Sequence, residues 1–510
     1  MTGKREYGDY QTPRDFAIKV CRFLKEKCDV RPSTILEPTC GIGNFIEAAT
    51  MFEAQEIIGV EIQEQYCEIC RSRLDDSRIN IINTDIFSFD VRTLIKSKEN
   101  ILVIGNPPWA TSATLSKADS FNIPEKRNFK GLKGLDAITG ASNFDICEYI
   151  ILKLIGALSG TRATVAMLCK TSVARNVFLE MKRSYIKFKK CAVFEFNAGK
   201  VFGINAKACL LIIELDTGVK CPNFFDVYSF DDSDKVTSRV VYKEGNLYNQ
   251  TVEEGYNFLG KCCFEWRQGV KHDCSKIMEL KRREEDYVNG LGEVVDIERD
   301  YVYPLIKSSM FKSAIINDSD KYVIVTQKRI GEDTTIIRDI APKTWKYLEN
   351  HLEFFEKRRS SIYKNAPAFS MFGIGEYSYS PYKVGVSGFY KKPLFSLLEP
   401  QNGCPIMTDD TSYFICLPTF ETAYTAMLIL NSECVQNFLC SIAFLDAKRP
   451  FTKKVLEKID FSKVLDVVKI ADLRKTEKRL ELEFRIDENM VEQLKNLSVY
   501  GQIQMPLYVG

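Results

Sequence analysis

An α/β fold built on a mostly parallel sheet, followed by a second, mixed α+β region, is what this 510-residue sequence predicts. Three observations predict it. Residues 34–49 read as strand, glycine turn and helix, the arrangement that lets a backbone approach a bound cofactor. Residues 101–105, Ile-Leu-Val-Ile-Gly, are continuously apolar or small, as a strand buried on both faces of a parallel sheet must be. After about residue 255 the composition shifts to segments in which Tyr and Phe interleave with Lys and Arg. The expected division is a first domain over 1–220, a connector rich in glycine and charge over 221–255, and a second domain over 256–510 that turns helical near Cys434.

Composition narrows the function classes. Hydrophobic content of 45% and charged content of 27% are those of a soluble globular chain. The formal net charge is only +2, so nucleic-acid binding must come from local basic patches. No apolar run approaches membrane-spanning length, and the opening MTGKREYGDYQTP lacks the apolar core of a signal peptide. Seventeen cysteines without such a signal imply reduced thiols and a cytoplasmic protein. Cys67 and Cys70 form a lone C-x-x-C in a helical segment, and the chain has two histidines, so no metal site is expected.

The first element is an amphipathic helix over about residues 15–28, with Thr12 expected as its cap and Pro13 at its first position. A short strand (Ile35, Leu36) then runs into Glu37-Pro38-Thr39-Cys40-Gly41-Ile42-Gly43, and a helix starts near Asn44. The turn lacks the third glycine of a dinucleotide fingerprint, and Glu37 would repel a pyrophosphate; a carboxylate there suits a cationic or amino-bearing ligand. A second strand, 57–61, ends at Glu61, about twenty residues after the glycines, where a ribose-binding carboxylate belongs. A third, 79–83, leads to Thr84-Asp85-Ile86.

The fourth strand stops at Asn106-Pro107-Pro108-Trp109. Neither proline donates to a sheet ladder, so the chain leaves the sheet as a stiff, extended loop beyond the carboxyl end of a strand. It offers the Asn106 amide oxygen, the Pro107 carbonyl and an indole at Trp109, which suit an exocyclic amine on a planar base. A proline-rich turn ending in a core Trp is the alternative. Three acids at three successive strand tips, followed by this loop at the fourth, are far more specific than any one of them.

LEPTCGIGNF, GVEI, NTDIF and GNPPW resemble motifs I to IV of the S-adenosylmethionine-dependent DNA amino-methyltransferases, and YGDYQTP resembles motif X. That last motif ahead of motif I, with a long C-terminal region, resembles the γ class of adenine-N6 enzymes from type II restriction–modification systems. GLDAITGASNFDICEY, WRQGVKHD and FGIGEYSYSPYKVGVSGFYK are similar to its XhoI-type branch. The resemblance implies a Rossmann-like domain with a mostly parallel seven-stranded sheet and a DNA target-recognition domain. It also implies double-stranded DNA as partner, methylation of a flipped-out base, a monomer on DNA and a separate cognate restriction endonuclease. Glu61, followed by Ile62, would hold the cofactor ribose; Asp85 would bond its adenine amine, with Ile86 against the ring. Thr12 and the turn from Glu37 through Pro38, Thr39, Cys40 and Gly41 to Gly43 would surround the methionine part. Most relatives have Tyr where this chain has Trp109, which keeps stacking and removes a hydroxyl.

Residues 110–143 are polar and basic, with Lys126 and Arg127 placed to touch DNA. A helix over 144–158, a strand over 163–169 and a closing hairpin (192–196 and 208–214) are expected. Between the hairpin strands lies Phe202, which by resemblance supports the other face of the target base, or is simply a core residue. Lys271, Tyr377, Tyr382 and Lys383 are the DNA-contact candidates of the second region; Lys357 to Arg359 read equally as a charged helix face. Cytosine-N4 methylation, an RNA or protein-glutamine methyltransferase, and an inactive specificity subunit remain as alternatives.

Overall fold

The computed structural model describes residues 11–95, 98–110, 145–250 and 258–500. The chain divides between Thr251 and Val252 into two compact units. In the first, α1 (Arg14–Glu26) buries Ala17, Val20, Cys21 and Leu24, one face at helical spacing. Its N-cap is Pro13, without a side-chain capping bond, so the helix starts one residue later than expected and Thr12 is not its cap. Proline suits this boundary because the first helical N–H groups have no partner inside the helix.

The elements that follow are β1 (Thr34–Glu37), α2 (Asn44–Ala49), β2 (Glu56–Glu61), α3 (Glu64–Arg73), β3 (Ile79–Asn83), α4 (Val91–Ile95) and β4 (Ile101–Gly105). Beyond them come α5 (Ile146–Leu158), β5 (Ala163–Lys170), α6 (Thr171–Arg183), β6 (Phe188–Asn197), α7 (Ala198–Phe202) and β7 (Lys207–Leu215). The unit closes with β8 (Phe224–Ser229), β9 (Val236–Lys243) and β10 (Asn246–Asn249). One sheet takes them all, in the order β10-β9-β8-β6-β7-β5-β4-β1-β2-β3. From β5 to β3 neighbours run parallel, while β7 is antiparallel to both β5 and β6.

Two expectations change here. The sheet has ten strands rather than seven, because β8 pairs in parallel with β6 and carries β9 and β10 outward. Residues 224–249, read as part of a connector, are those three strands; alternation in segments such as Val-Thr-Ser-Arg-Val-Val-Tyr outweighs their charge. The centre of the sheet is β4, where Ile101, Leu102, Val103 and Ile104 are at most 1% exposed. Burying each such side chain contributes about 1.5–3 kcal/mol, which holds the loop that follows on a rigid base. Cys67 and Cys70 lie buried on α3, as helical spacing predicts.

The second unit is mixed α+β. A five-stranded sheet contains Arg267–Gln268, Ser412–Leu417, Tyr382–Ser387, Phe395–Leu398 and Ile315–Ile316 in that order. A six-stranded sheet contains Glu279–Arg283, Lys321–Ile324 and Val302–Ile306 at its middle. Helices dominate from Phe420–Asn431 to Glu488–Tyr500. The segment expected to present Tyr382 and Lys383 as a surface loop is instead the central strand of the five-stranded sheet. Lys383 is 1% exposed, and its ammonium donates to the carbonyls of Ser380 (2.8 Å) and Ile406 (2.9 Å). Burial lowers its pKa to about 8. Lys383 is therefore a structural lysine, not a DNA contact. Glycine spacing and interleaved tyrosines and lysines suggested an exposed β-rich loop; Lys383 to Ser387 are all buried. Among the described residues, no helix is long and apolar enough to cross a membrane.

Candidate active site

The carboxyl ends of the parallel strands open onto a crevice of about 930 Å³, its mouth included. Thr12, Glu37, Pro38, Thr39, Cys40, Gly41, Glu61, Ile62, Asp85, Ile86, Asn106 and Pro108 all line it. Residues singled out at four separate strand tips are thus brought to one cavity. Gly43, Pro107, Trp109 and Phe202 stand outside the lining.

The glycine turn is tight for identifiable reasons. Gly43 is the N-cap of α2 at φ +84°, and a Cβ there would sit 2.2 Å from Cys70 Sγ. Gly41, at φ +53°, lies under the Gln11 side chain, whose Oε1 accepts the Ile42 N–H at 3.3 Å. Asn44 Nδ2 donates to the Thr12 carbonyl at 2.8 Å, tying residues 11–12 to the start of α2. Arg73 donates to Ile42 O (2.8 Å) and Asn44 Oδ1 (3.2 Å) and pairs with Glu47 (2.9 Å).

Two acids dominate the turn. The Glu61 carboxylate accepts N–H groups from Gly41 and Gln63, each at 2.9 Å. Glu37 is buried at the tip of β1, and desolvation raises its pKa well above the ordinary carboxyl range, with Cys70 and Glu61 adding to the effect. Its Oε2 has no hydrogen-bond partner among the described residues. A buried carboxyl oxygen left over at a cavity wall fits a ligand carrying an ammonium group.

The turn after β3 is held from α5. Asp85 Oδ1 accepts the Phe87 N–H at 2.9 Å. Lys153 donates to the carbonyls of Ile86, Phe87 (2.7 Å) and Phe89 (3.0 Å), and burial lowers its pKa. α5 starts where Asp145 accepts the Cys147 N–H at 3.1 Å, and its Ile146 and Ile150 also face the crevice.

At the tip of β4, Gly105 lets Glu37 pack close: a Cβ there would sit 3.3 Å from Glu37 Cγ. Asn106 follows, half-buried at the cavity, then buried Pro107 and half-buried Pro108. Trp109 is 9% exposed; its indole N–H donates to Leu168 O at 3.4 Å, and its ring meets Phe202 edge-on at 5.4 Å. Phe16 and Phe196 extend this aromatic cluster around Phe202.

Several lining residues were not legible as such. Gln11, Asn44 and Phe87 lie inside motifs singled out for other members, and Tyr66 and Ile150 gave no signal. Lys153 had one, as a single lysine in the otherwise apolar run YIILKLIGAL. Lys126 and Arg127 lie outside the described residues. Of the remaining DNA-contact candidates, Lys271 is ion-paired with Asp273 at 2.5 Å. Tyr377 lies under the Arg267 guanidinium at 4.4 Å, and Tyr382 meets Phe420 edge-on at 6.3 Å.

No known family model matches the chain. Over 479 residues it is 39% identical to the type II methyltransferase M.NspV of a Nostoc species, covering 91% of this chain and 98% of that protein. The type II methyltransferase M.CvrRI of Paramecium bursaria Chlorella virus is 28% identical over 229 residues, 44% of this chain and 52% of that protein. Among solved structures, the type IIL restriction–modification enzyme MmeI in complex with DNA shares the fold. Its TM-score is 0.52 over 98% of this chain and 80% of that chain, at 12% identity. The near full-length match to M.NspV decides the family: this chain belongs to the type II methyltransferases of restriction–modification systems and uses S-adenosylmethionine as methyl donor.

Proposed function

We propose that the protein is a γ-class enzyme of the XhoI-type branch that methylates adenine N6 at a specific site in double-stranded DNA. One observation carries this reading: the Asn106-Pro107-Pro108 loop meets, in one crevice, the acids Glu61 and Asp85 from the two strand tips where ribose and adenine contacts belong. An adenine stacked in a duplex cannot reach this crevice, so the target base is flipped out of the helix. The C-terminal unit reads the sequence. The enzyme works as a cytoplasmic monomer on DNA beside a separate cognate endonuclease.

The cofactor has a fitting place. Glu37 would hold the methionine ammonium, Glu61 the ribose hydroxyls and Asp85 the adenine amine, with Ile86 against the ring. Bound S-adenosylmethionine supplies an electrophilic methyl on a positively charged sulfur, open to in-line attack by a nitrogen lone pair. The N6 lone pair of adenine is delocalised into the ring and is a poor nucleophile. The Asn106 side-chain oxygen and the Pro107 carbonyl accept the two N6 hydrogens and favour a pyramidal nitrogen on which the lone pair localises. Both bonds strengthen as positive charge develops on nitrogen, which is where stabilisation lowers the barrier, and the nitrogen then sheds one of its two protons to solvent to give neutral N6-methyladenine. Trp109 and Phe202, which touch each other edge-on here, would part to take the base between them, and positioning contributes much of the remainder.

The test is to incubate the protein with labelled S-adenosylmethionine and mixed-sequence duplex DNA, digest to nucleosides and identify the labelled product. N6-methyladenine at one defined site is expected. Label in N4-methylcytosine, or no label in DNA when parallel incubations with RNA or protein become labelled, overturns this reading.

A further inference from the structure

We propose that a cleft in the C-terminal unit reads one G·C base pair of the target site, with Arg359 facing guanine and Asp410 facing cytosine. The inference rests on the reading of the protein as a sequence-specific DNA methyltransferase.

Five chain segments around His272, Lys307, Arg359, Phe389 and Asp410 form the cleft, which encloses about 1360 Å³ with its open mouth. Its floor is fixed. The Cys274 N–H donates to His272 Nδ1 at 3.2 Å, which leaves the imidazole proton on Nε2, 3.7 Å from Glu279. Glu279 in turn accepts two bonds from Lys307, at 2.8 and 2.9 Å. Asp409 accepts from Thr411 N–H (3.2 Å), Thr411 Oγ1 (2.7 Å) and Ser412 Oγ (2.8 Å). Glu279 and Lys307 are satisfied by each other, and Asp409 is anchored to its own turn through Oδ1.

The mouth differs. Arg359 is exposed and makes no hydrogen bond or ion pair among the described residues. Its neighbour Arg358 lies 3.8 Å over the Tyr363 ring and donates to Ser370 O at 2.7 Å, so only Arg359 keeps a free fork of donors. Asp410 is half-buried, and its backbone carbonyl is held by Gln268 and Arg449. The nearest cation to its carboxylate is Lys271 at 3.8 Å, which pairs more closely with Asp273 at 2.5 Å.

The mixture of signs decides the ligand. Lys271, Lys307 and Lys357 also line the cleft but are paired with Asp273, Glu279 and Glu353, so a phosphate entering it would meet Arg359 as an unpaired cation beside the like charges of Asp273 and Asp410, which makes the cleft a poor backbone clamp. A base-pair edge with adjacent acceptors beside a donor fits it. In the major groove only guanine presents two acceptors, O6 and N7, to a guanidinium fork, while its partner cytosine presents the N4 amine to a carboxylate. Lysine cannot supply that fork, which argues for Arg359 over Lys271.

The experiment methylates a library of randomised duplexes with wild type, Arg359→Gln and Asp410→Asn, and reads the base preference at each position by sequencing. Both variants are expected to lose preference at the same G·C position, by roughly tenfold or more, and to keep it elsewhere. Replacing that guanine by 7-deazaguanine is expected to slow wild type and leave Arg359→Gln unchanged. Because Arg359 is exposed and unpaired, its replacement does not disturb folding, and it carries the test alone if Asp410→Asn misfolds. Unchanged preferences in Arg359→Gln overturn the proposal. So does a uniform loss across all sequences with a flatter salt dependence, the mark of a phosphate contact. If wild type methylates no DNA, the underlying reading fails and this proposal falls with it.

Discussion

Removing the Glu61 carboxylate in Glu61→Ala is expected to have two separable effects. The side chain is 7% exposed, and its oxygens accept the N–H groups of Gly41 and Gln63, each at 2.9 Å. Hydrogen bonds to a charged group contribute about 1.5–3 kcal/mol each. With partial rehydration of the turn, denaturant melts should show a loss of roughly 2–4 kcal/mol. If the same carboxylate also receives the ribose hydroxyls, the variant loses a charged acceptor for the cofactor, and the Kd should rise by about tenfold to a hundredfold. Calorimetric titration with S-adenosylmethionine and its 2′,3′-dideoxy analogue, at a temperature where circular dichroism shows the variant folded, separates the two. Wild type should bind the dideoxy analogue more weakly, and Glu61→Ala should no longer distinguish the ligands. A variant that still discriminates as wild type does refutes the ribose contact, whatever its melting shows.

Lys153→Met removes the donor to three carbonyls of the turn after β3. It should weaken S-adenosylmethionine about tenfold or more and erase the preference for an adenosyl over an inosyl cofactor analogue; equal weakening of both analogues counts against the assignment of Asp85. Trp109→Phe keeps the ring and loses one bond to Leu168, so it should retain most activity, whereas Trp109→Ala should lose about 1–3 kcal/mol of base capture. A 2-aminopurine at the target position reports this on flipping, and equal fluorescence from wild type and Trp109→Ala removes the ring from base capture. Burial lowers the His272 pKa to about 4 from an ordinary 6.5. Because the unfolded chain takes up this proton first, the contribution is full above about pH 6.5 and is lost as pH falls toward 4, by at most about 3 kcal/mol. Chemical melts of His272→Gln should show a flatter dependence across that window; an unchanged slope shows that other groups govern it.

The strand tips were legible because each bears a local signature. A continuous apolar run must be buried on both faces, and Glu37, Glu61 and Asn106 stand where such runs stop, while Asp85 follows the half-exposed edge strand β3, so topology gathers them at one edge of the sheet. What lay outside these signatures depended on long-range packing. Lys153 acts on residues far before it in the chain, and only folding shows that α5 spans the turn after β3. Charge and glycine disguised β8, β9 and β10, whose pairing with β6 no local pattern announces. Lys383 misled for another reason: glycine spacing with tyrosines and lysines reads as an exposed loop, and this strand is buried in the middle of a sheet. The cleft at Arg359 draws on five separate segments, none of which is distinctive alone.

The chemistry rests on Asn106, and single-turnover kinetics of Asn106→Ala with bound cofactor and a duplex carrying the target site test it most directly. Loss of one acceptor for the developing charge is expected to cost roughly 3 kcal/mol or more of barrier, a rate reduction of at least a hundredfold. S-adenosylmethionine affinity, measured on the same preparation by calorimetry, should stay within about threefold of wild type, since a 1.4 kcal/mol change would already be tenfold. A transfer rate within threefold of wild type, or a rate loss matched by lost cofactor binding, would contradict the assignment of Asn106 as the acceptor for the target amine.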